Sequence, residues 1–195
     1  MMRRSLIVGL VGLAGSGKST VTEMILKYYE FKLVHLGDRI RDLVAKEGLA
    51  STPENERKLQ MSIRESHGMA ALMTLSIPAI QRFGSAGDDI LIDSMCSFSE
   101  KEALQSVSGD CVVHIVAVHA PSEKRKVHLQ ERLQRPLSID QMNDRDLLEL
   151  ERLEKGKLLA LADHHLVNKG APYALEKEVT SLMKAIGATK KSLRS

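Results

Sequence analysis

Gly12-Leu13-Ala14-Gly15-Ser16-Gly17-Lys18-Ser19-Thr20 fits the phosphate-loop pattern G-x-x-x-x-G-K-[ST] at every required position. The apolar run ahead of it, Leu6-Ile7-Val8-Gly9-Leu10-Val11, reads as a buried strand, and residues 18–29 behind it read as a helix. Strand, glycine loop and helix is the order that anion binding needs. Glycines let the backbone wrap until successive N–H groups point inward at phosphate oxygens, and the helix N-terminus adds partial positive charge. Lys18 is placed to reach the β and γ phosphates, and the Ser19 hydroxyl to ligate magnesium. A plain glycine-rich turn is the alternative, and it would make Lys18-Ser19 a coincidence. The loop implies ATP with Mg2+ as cofactors, the choice between ATP and GTP being left open.

The 195 residues suffice for a single domain with small insertions. Hydrophobic content of 43% and charged content of 27% fit a globular protein in water. A net charge of +3 and three residues each of Phe and Tyr, without Trp, argue against a nucleic-acid partner, because single strands want stacking platforms. Cys96 and Cys111 are the only cysteines, so no disulfide framework exists and a reducing, cytoplasmic setting is expected. Arg3-Arg4 before residues 6–14 has the look of a short leader, but cleavage there would destroy the loop. No apolar run reaches membrane-spanning length, so no membrane role is expected.

Apolar segments 6–11, 32–36, 89–93, 111–119 and 165–168 alternate with helical patterns at 18–29, 38–47, 53 to about 83, 98–107, 122–134, 139–161 and 174–186. The third helical pattern carries breaks near Gly68 and Pro78. This alternation predicts an α/β fold, a parallel sheet covered by helices on both faces. Residues 38–83 and 121–161 leave from the carboxyl ends of strands, where ligands of such sheets bind, so both are placed to close over the loop.

Ile90-Leu91-Ile92-Asp93 is an apolar strand ending in a carboxylate, the Walker-B pattern, with Asp93 reaching Mg2+ through water. Asp88 and Asp89, at the strand's other end, read as solvated turn residues. Gly37-Asp38-Arg39-Ile40-Arg41 follows the second strand and opens a helix, with Asp38 a natural N-cap. Arg41 lies one turn on, where a guanidinium can fork onto an acceptor phosphate, and Asp38 can orient or deprotonate an acceptor group. Arg125, Arg132, Arg135 and Arg145 lie in the second excursion; Arg125 and Arg135 are the favoured catalytic arginines. The seven histidines show no ligand spacing that would argue a zinc site.

Gly37-Asp38-x-x-Arg41 after the second strand resembles the acceptor motif of adenylate kinases. His119-Ala120-Pro121 followed by Arg125 resembles the entry to their lid, and Ala162-Asp163 through Asn168 is similar to a dephospho-CoA kinase segment. With Arg145-Asp146 and Gly156, the chain looks most like an archaeal adenylate-kinase-related P-loop family, over residues 6 to about 186. The resemblance implies a single P-loop domain over 1–195, a five-stranded parallel sheet in order 2-3-1-4-5, an acceptor-binding insertion at 38–83 and a lid at 121–161. It implies Lys18, Asp38, Arg125 and Arg135 as catalytic, and Asp38, Arg41 and Cys96 as acceptor-binding. Arg64 and Gly68 resemble family positions with a packing or acceptor-shaping part. Two departures stand out: Cys96 replaces a phosphate-binding arginine and Ser94 a glycine.

Two functions compete on these residues. One is a kinase moving the ATP γ-phosphate to a small nucleotide-like acceptor, through a hydroxyl or a phosphate, in a monomer or homodimer. The other is an ATPase switch or assembly factor with a protein or RNA partner, which the missing charge at Cys96 favours.

Overall fold

In the computed structural model, residues 3–132 and 136–191 are described. Five strands, β1 (Leu6–Val11), β2 (Phe31–His35), β3 (Asp89–Met95), β4 (Val112–His119) and β5 (His164–Val167), form one parallel sheet in the order β2-β3-β1-β4-β5. This is the expected order. Strand β1 is central and buried along its whole length, which is why it reads as an unbroken apolar run rather than an alternation.

The pleat sends alternate side chains to two cores. Ile7, Ile92 and Ile115 face α2 (Leu36–Lys46), α4 (Ala71–Ser85), α5 (Phe98–Val107) and α8 (Lys155–Ala160), through Ile40, Val44, Met73, Leu104 and Leu158. Val8, Leu10, Leu91 and Val116 face α1 (Lys18–Tyr28) and α9 (Pro172–Ala185), through Val21, Ile25, Val179 and Met183. A third small cluster of Ala14, Leu129 and Met142 ties the loop to α6 (Ser122–Gln130) and α7 (Ile139–Glu151).

The structure corrects several expected boundaries. The helical pattern at 53–83 has its expected break at Gly68, whose φ is +84°, between α3 (Pro53–His67) and α4, but not the one expected near Pro78. Pro78 lies inside α4 without ending it; burial of Leu72, Met73 and Ile80 along the same helix outweighs the one lost backbone bond. The pattern at 139–161 is likewise two helices, α7 and α8, because Glu154 takes a left-handed conformation at φ +56°. Of the pattern at 122–134, the helix ends at Gln130, and 133–134 lie outside the described residues. Asp89 is buried rather than solvated: its carboxylate accepts from the Leu6 backbone N–H at 2.9 Å and pairs with Arg3. It thereby joins the first strand to the start of the third.

Candidate active site

All five strands point their carboxyl ends at one edge, and the phosphate loop lies there between β1 and α1. Gly15 and Gly17 sit at φ +78° and +98°, where any side chain is strained, and a Cβ on Gly15 would come within 2.9 Å of the Arg125 carbonyl. A Cβ on Gly17 would run into the Asn168 amide, whose Nδ2 donates to Ser16 O at 3.2 Å. Asn168 follows β5, so the last strand helps to shape the loop. Lys18 Nζ turns back onto the loop, donating to Gly12 O at 2.7 Å and Leu13 O at 3.3 Å. Burial, and after it the charge of Lys155, lower the Lys18 pKa from 10.5 to about 8. The buried Ser16 hydroxyl has no partner among the described residues. A backbone cradle with an unsatisfied hydroxyl and a lysine held on weak carbonyl acceptors fits a triphosphate.

Asp93 and Ser19 are the expected magnesium residues. Ser19 is exposed beside the loop, and Asp93 is buried in β3, two residues before its end, with its charge acting on Lys18. A hydroxyl and a carboxylate at this edge fit a hard, oxygen-seeking cation. Ser94 Oγ lies 3.4 Å from both Asp93 Oδ1 and His35 Nε2. Ser94 itself has φ +69°. The β1–β3 register slips there, two residues of β1 (Gly9 to Val11) spanning three of β3 (Ile92 to Met95). This bulge accounts for the glycine expected at position 94, and it aims Asp93 and Cys96 at the site.

Two cavities meet at Lys18 and Arg41. The larger, about 820 Å³, runs along the loop and α1 to His128, Arg132 and the Asn168–Pro172 turn. The smaller, about 210 Å³, is walled by Lys18, His35, Arg41, Cys96, Arg145, Glu149 and Lys155, with Glu56 and Gln60 of α3. Arg41, expected on the acceptor side, thus borders both spaces. It is paired with Asp38 of the same helix. Helix α2 begins at Leu36, so Asp38 lies within the first turn and is not the N-cap. Its carboxylate also lies 3.4 Å from His35 Nδ1 and is about half exposed, at the rim of the smaller cavity rather than in its wall.

Arg125 occupies a different place from the mobile arginine expected of it. It is 6% exposed; its Nε donates to Ala14 O at 2.7 Å and its Nη2 to both oxygens of Asp146 at 2.6 Å. It clamps α7 to the loop. His128 makes a second contact of this kind, with Nδ1 3.0 Å from Gly15 O. Arg132 faces the larger cavity, where partial burial and the nearby Arg145 lower its pKa. Arg135 lies outside the described residues.

Glu149 and Lys155 are functional candidates that the sequence reading missed. Both are buried; Lys155 Nζ donates to Glu149 Oε2 at 2.8 Å, and Arg145 Nε to Glu149 Oε1 at 2.9 Å. Burial favours the neutral acid, but Lys155 and Arg145 outweigh it and hold the Glu149 pKa at about 2. The signal was hidden because 139–161 reads as one continuous helix, which would project Lys155 into solvent; only the turn at Glu154 folds it inward.

Cys96 walls the smaller cavity and is 8% exposed. Cys111 is half-buried, and burial, with Asp110 and Asp89 nearby, pushes its thiol pKa up. Arg64 packs: it is buried against Glu100, which also accepts from the backbone N–H groups of Cys96 and Ser97. The adjacent His164 and His165 point to opposite faces, and each meets a β4 histidine, His114 at 3.2 Å and His119 at 3.1 Å. Among the described residues no three such ligands gather into a metal site. Among them, too, no helix is long and apolar enough to cross a membrane.

A family model described as "AAA domain" matches residues 11–146. A UPF0200 protein of the archaeon Thermococcus gammatolerans is 32% identical over 183 residues, 93% of this chain and 95% of that one. Among solved structures, the tunicamycin resistance protein of Deinococcus radiodurans superposes with a TM-score of 0.63 at 18% identity, covering 97% of this chain and 99% of the other. The shikimate kinase of Bacteroides thetaiotaomicron gives a TM-score of 0.57 at 13% identity, covering 93% and 98%. These likenesses show a P-loop kinase-like fold.

Proposed function

The chain belongs to the UPF0200 family, and from its P-loop kinase-like fold and the paired cavities we propose that it is a kinase transferring the γ-phosphate of ATP to a small, nucleotide-like acceptor. The observation that carries this reading is the junction at Lys18 and Arg41, where a phosphate-loop cavity opens into a second cavity lined by cations. A protein that only hydrolyses a nucleotide needs no second pocket of that charge at the γ-phosphate.

The loop N–H groups hold the phosphate chain, and Lys18 leaves the Gly12 carbonyl for the β and γ oxygens. Ser19 and Asp93 are the residues that would hold magnesium, which when bound supplies charge neutralisation across those oxygens. Arg125 and His128 keep the loop in shape through Ala14 O and Gly15 O. Arg41 exchanges Asp38 for the acceptor. The acceptor oxygen attacks the γ-phosphorus in line, the bond to the β-bridging oxygen breaks, and ADP leaves. Catalysis here is positioning and charge stabilisation. The switch reading drew its support from the lost charge at Cys96, and Lys155 beside that residue removes much of it.

An acceptor panel with Mg·ATP tests the proposal. ADP release that depends on one acceptor and is abolished by Lys18→Ala supports it; slow ADP release indifferent to every acceptor overturns it.

A further inference from the structure

The smaller cavity has more positive charge than its Walker-type residues require. Lys18 serves the nucleotide and Arg41 borders both spaces, yet Arg145 and Lys155 add two more cations on the wall away from the loop. Lys155 is 3% exposed, and burying an ammonium is costly unless it is paired. Glu149 pairs it at 2.8 Å and takes Arg145 on its other oxygen. One carboxylate bridging two cations reproduces the fork that a phosphate group offers to the same donors. Burial works against the Lys155 charge, but the Cys96 sulfur and the Glu149 carboxylate outweigh burial and raise its pKa. Lys155 and Cys96 line the same small cavity, so the ammonium faces the place where the resemblance led to an expected arginine.

We propose that Lys155 is the acceptor-binding cation at the end of β3, that it and Arg145 grip a phosphate group already carried by the acceptor, and that Glu149 occupies that group's place until the acceptor arrives. The substrate class is a phosphomonoester, such as a nucleoside monophosphate, rather than a neutral alcohol or sugar. The proposal rests on the kinase reading for its purpose but not for its test.

The test is binding without turnover. Cys111→Ser protein is saturated with magnesium and a non-hydrolysable ATP analogue, so that the loop is filled. Inorganic phosphate and AMP are then titrated in separate arms, by calorimetry and by protection of Cys96 from alkylation. Both probes are expected to bind and to protect Cys96, AMP more tightly because its nucleoside adds contacts. Lys155→Met weakens both by about ten- to a hundredfold, the size of a lost charged hydrogen bond, and Lys155→Arg restores them to within about threefold. Glu149→Gln tightens binding severalfold, since the competing carboxylate is gone. Removing Lys155 alone leaves the buried acid with Arg145 as its one cation partner, so Lys155→Met/Glu149→Gln is made as well and is still expected to bind about tenfold more weakly than Glu149→Gln. Circular dichroism verifies folding of each variant. Equal affinity of the double variant and Glu149→Gln overturns the role of Lys155, and unchanged or weaker binding in Glu149→Gln overturns the place-holder. Binding of phosphate but not AMP contradicts the substrate class. If Lys155-dependent binding is found but no phosphoryl group moves to AMP or any phosphomonoester, the kinase reading fails and the anion site stands. If a neutral alcohol is phosphorylated while neither probe binds, the reverse holds.

Discussion

Lys18 is where burial and chemistry meet at the scale of one side chain. Its pKa of about 8 without ligand reflects burial first and Lys155 second, and phosphates arriving beside it favour the charged form. ATP binding at pH 9 should therefore take up close to one proton, and at pH 7 almost none. Affinity should fall as pH rises above about 8. Calorimetry in two buffers of different ionisation enthalpy measures the uptake directly; no proton linkage at pH 9, or the same linkage in Lys18→Ala, contradicts the assignment. The loop's residues were legible in the sequence because their function is local: backbone shape, glycine freedom and one lysine lie within nine consecutive positions. Arg125 was legible as important, but its contacts were not. Nothing in its surroundings along the chain says that its guanidinium is spent on Ala14 O and Asp146, since both partners are remote in sequence. Arg125→Lys, which keeps the charge and loses the fork, should raise the KM for ATP about tenfold with a smaller fall in kcat, because it acts by holding the loop. A large fall in kcat at unchanged KM would instead make it a catalytic arginine.

At the scale of elements, α3 and α5 meet at one buried ion pair beside Cys96. Arg64 Nη2 lies 3.0 Å from Glu100 Oε1, and Glu100 Oε2 receives the backbone N–H of Cys96 at 2.6 Å as well as that of Ser97, its capping-box partner at the start of α5. Both side chains are essentially inaccessible, while Arg64 Nε and Nη1 find no partner among the described residues. Glu100→Ala would leave the guanidinium charged, buried and unpaired, at a cost of about 3–5 kcal/mol. Urea unfolding checks this; a loss under about 1 kcal/mol would mean that the pair is not structural. Elements of this kind were readable wherever apolar periodicity decides them, as in β1, β3 and α9. They were misjudged where one residue's backbone decides them, as with Glu154, whose left-handed turn splits a helical pattern. Ser94 was noticed as a departure, but the bulge that gives it meaning exists only once β1 and β3 are paired.

For the whole molecule, sensitivity to mild acid is expected at the sheet's edge. His114–His164 lie on one face of β4–β5 and His119–His165 on the other. Burial, and after it the partner imidazole, lower the pKa values of His114 and His119; Asp163 offsets part of this for His114. The unfolded chain then takes up protons first, so the stability of these pairs is complete above about pH 6.5 and declines as pH falls below it. Strand β5 runs into Asn168, which holds Ser16 of the loop, so acid should loosen the nucleotide site along with the edge. Hydrogen exchange from β5 at pH 5.5 against pH 7.5 should rise several-fold more than from β1, and His114→Asn/His119→Asn should flatten the difference. Equal acceleration in both strands would make the effect global. The separate acid limb from Glu149, held at about 2 against 4.5 unfolded, is lost only between those values and does not overlap it.

Phosphoryl transfer itself is tested by where the γ-phosphate goes in a single turnover. Enzyme in excess over γ-labelled Mg·ATP, with a panel of phosphomonoesters headed by AMP, should place the label on an acceptor, with ADP formed in equal amount. Label recovered only as inorganic phosphate, at a rate that no acceptor alters, would contradict the account.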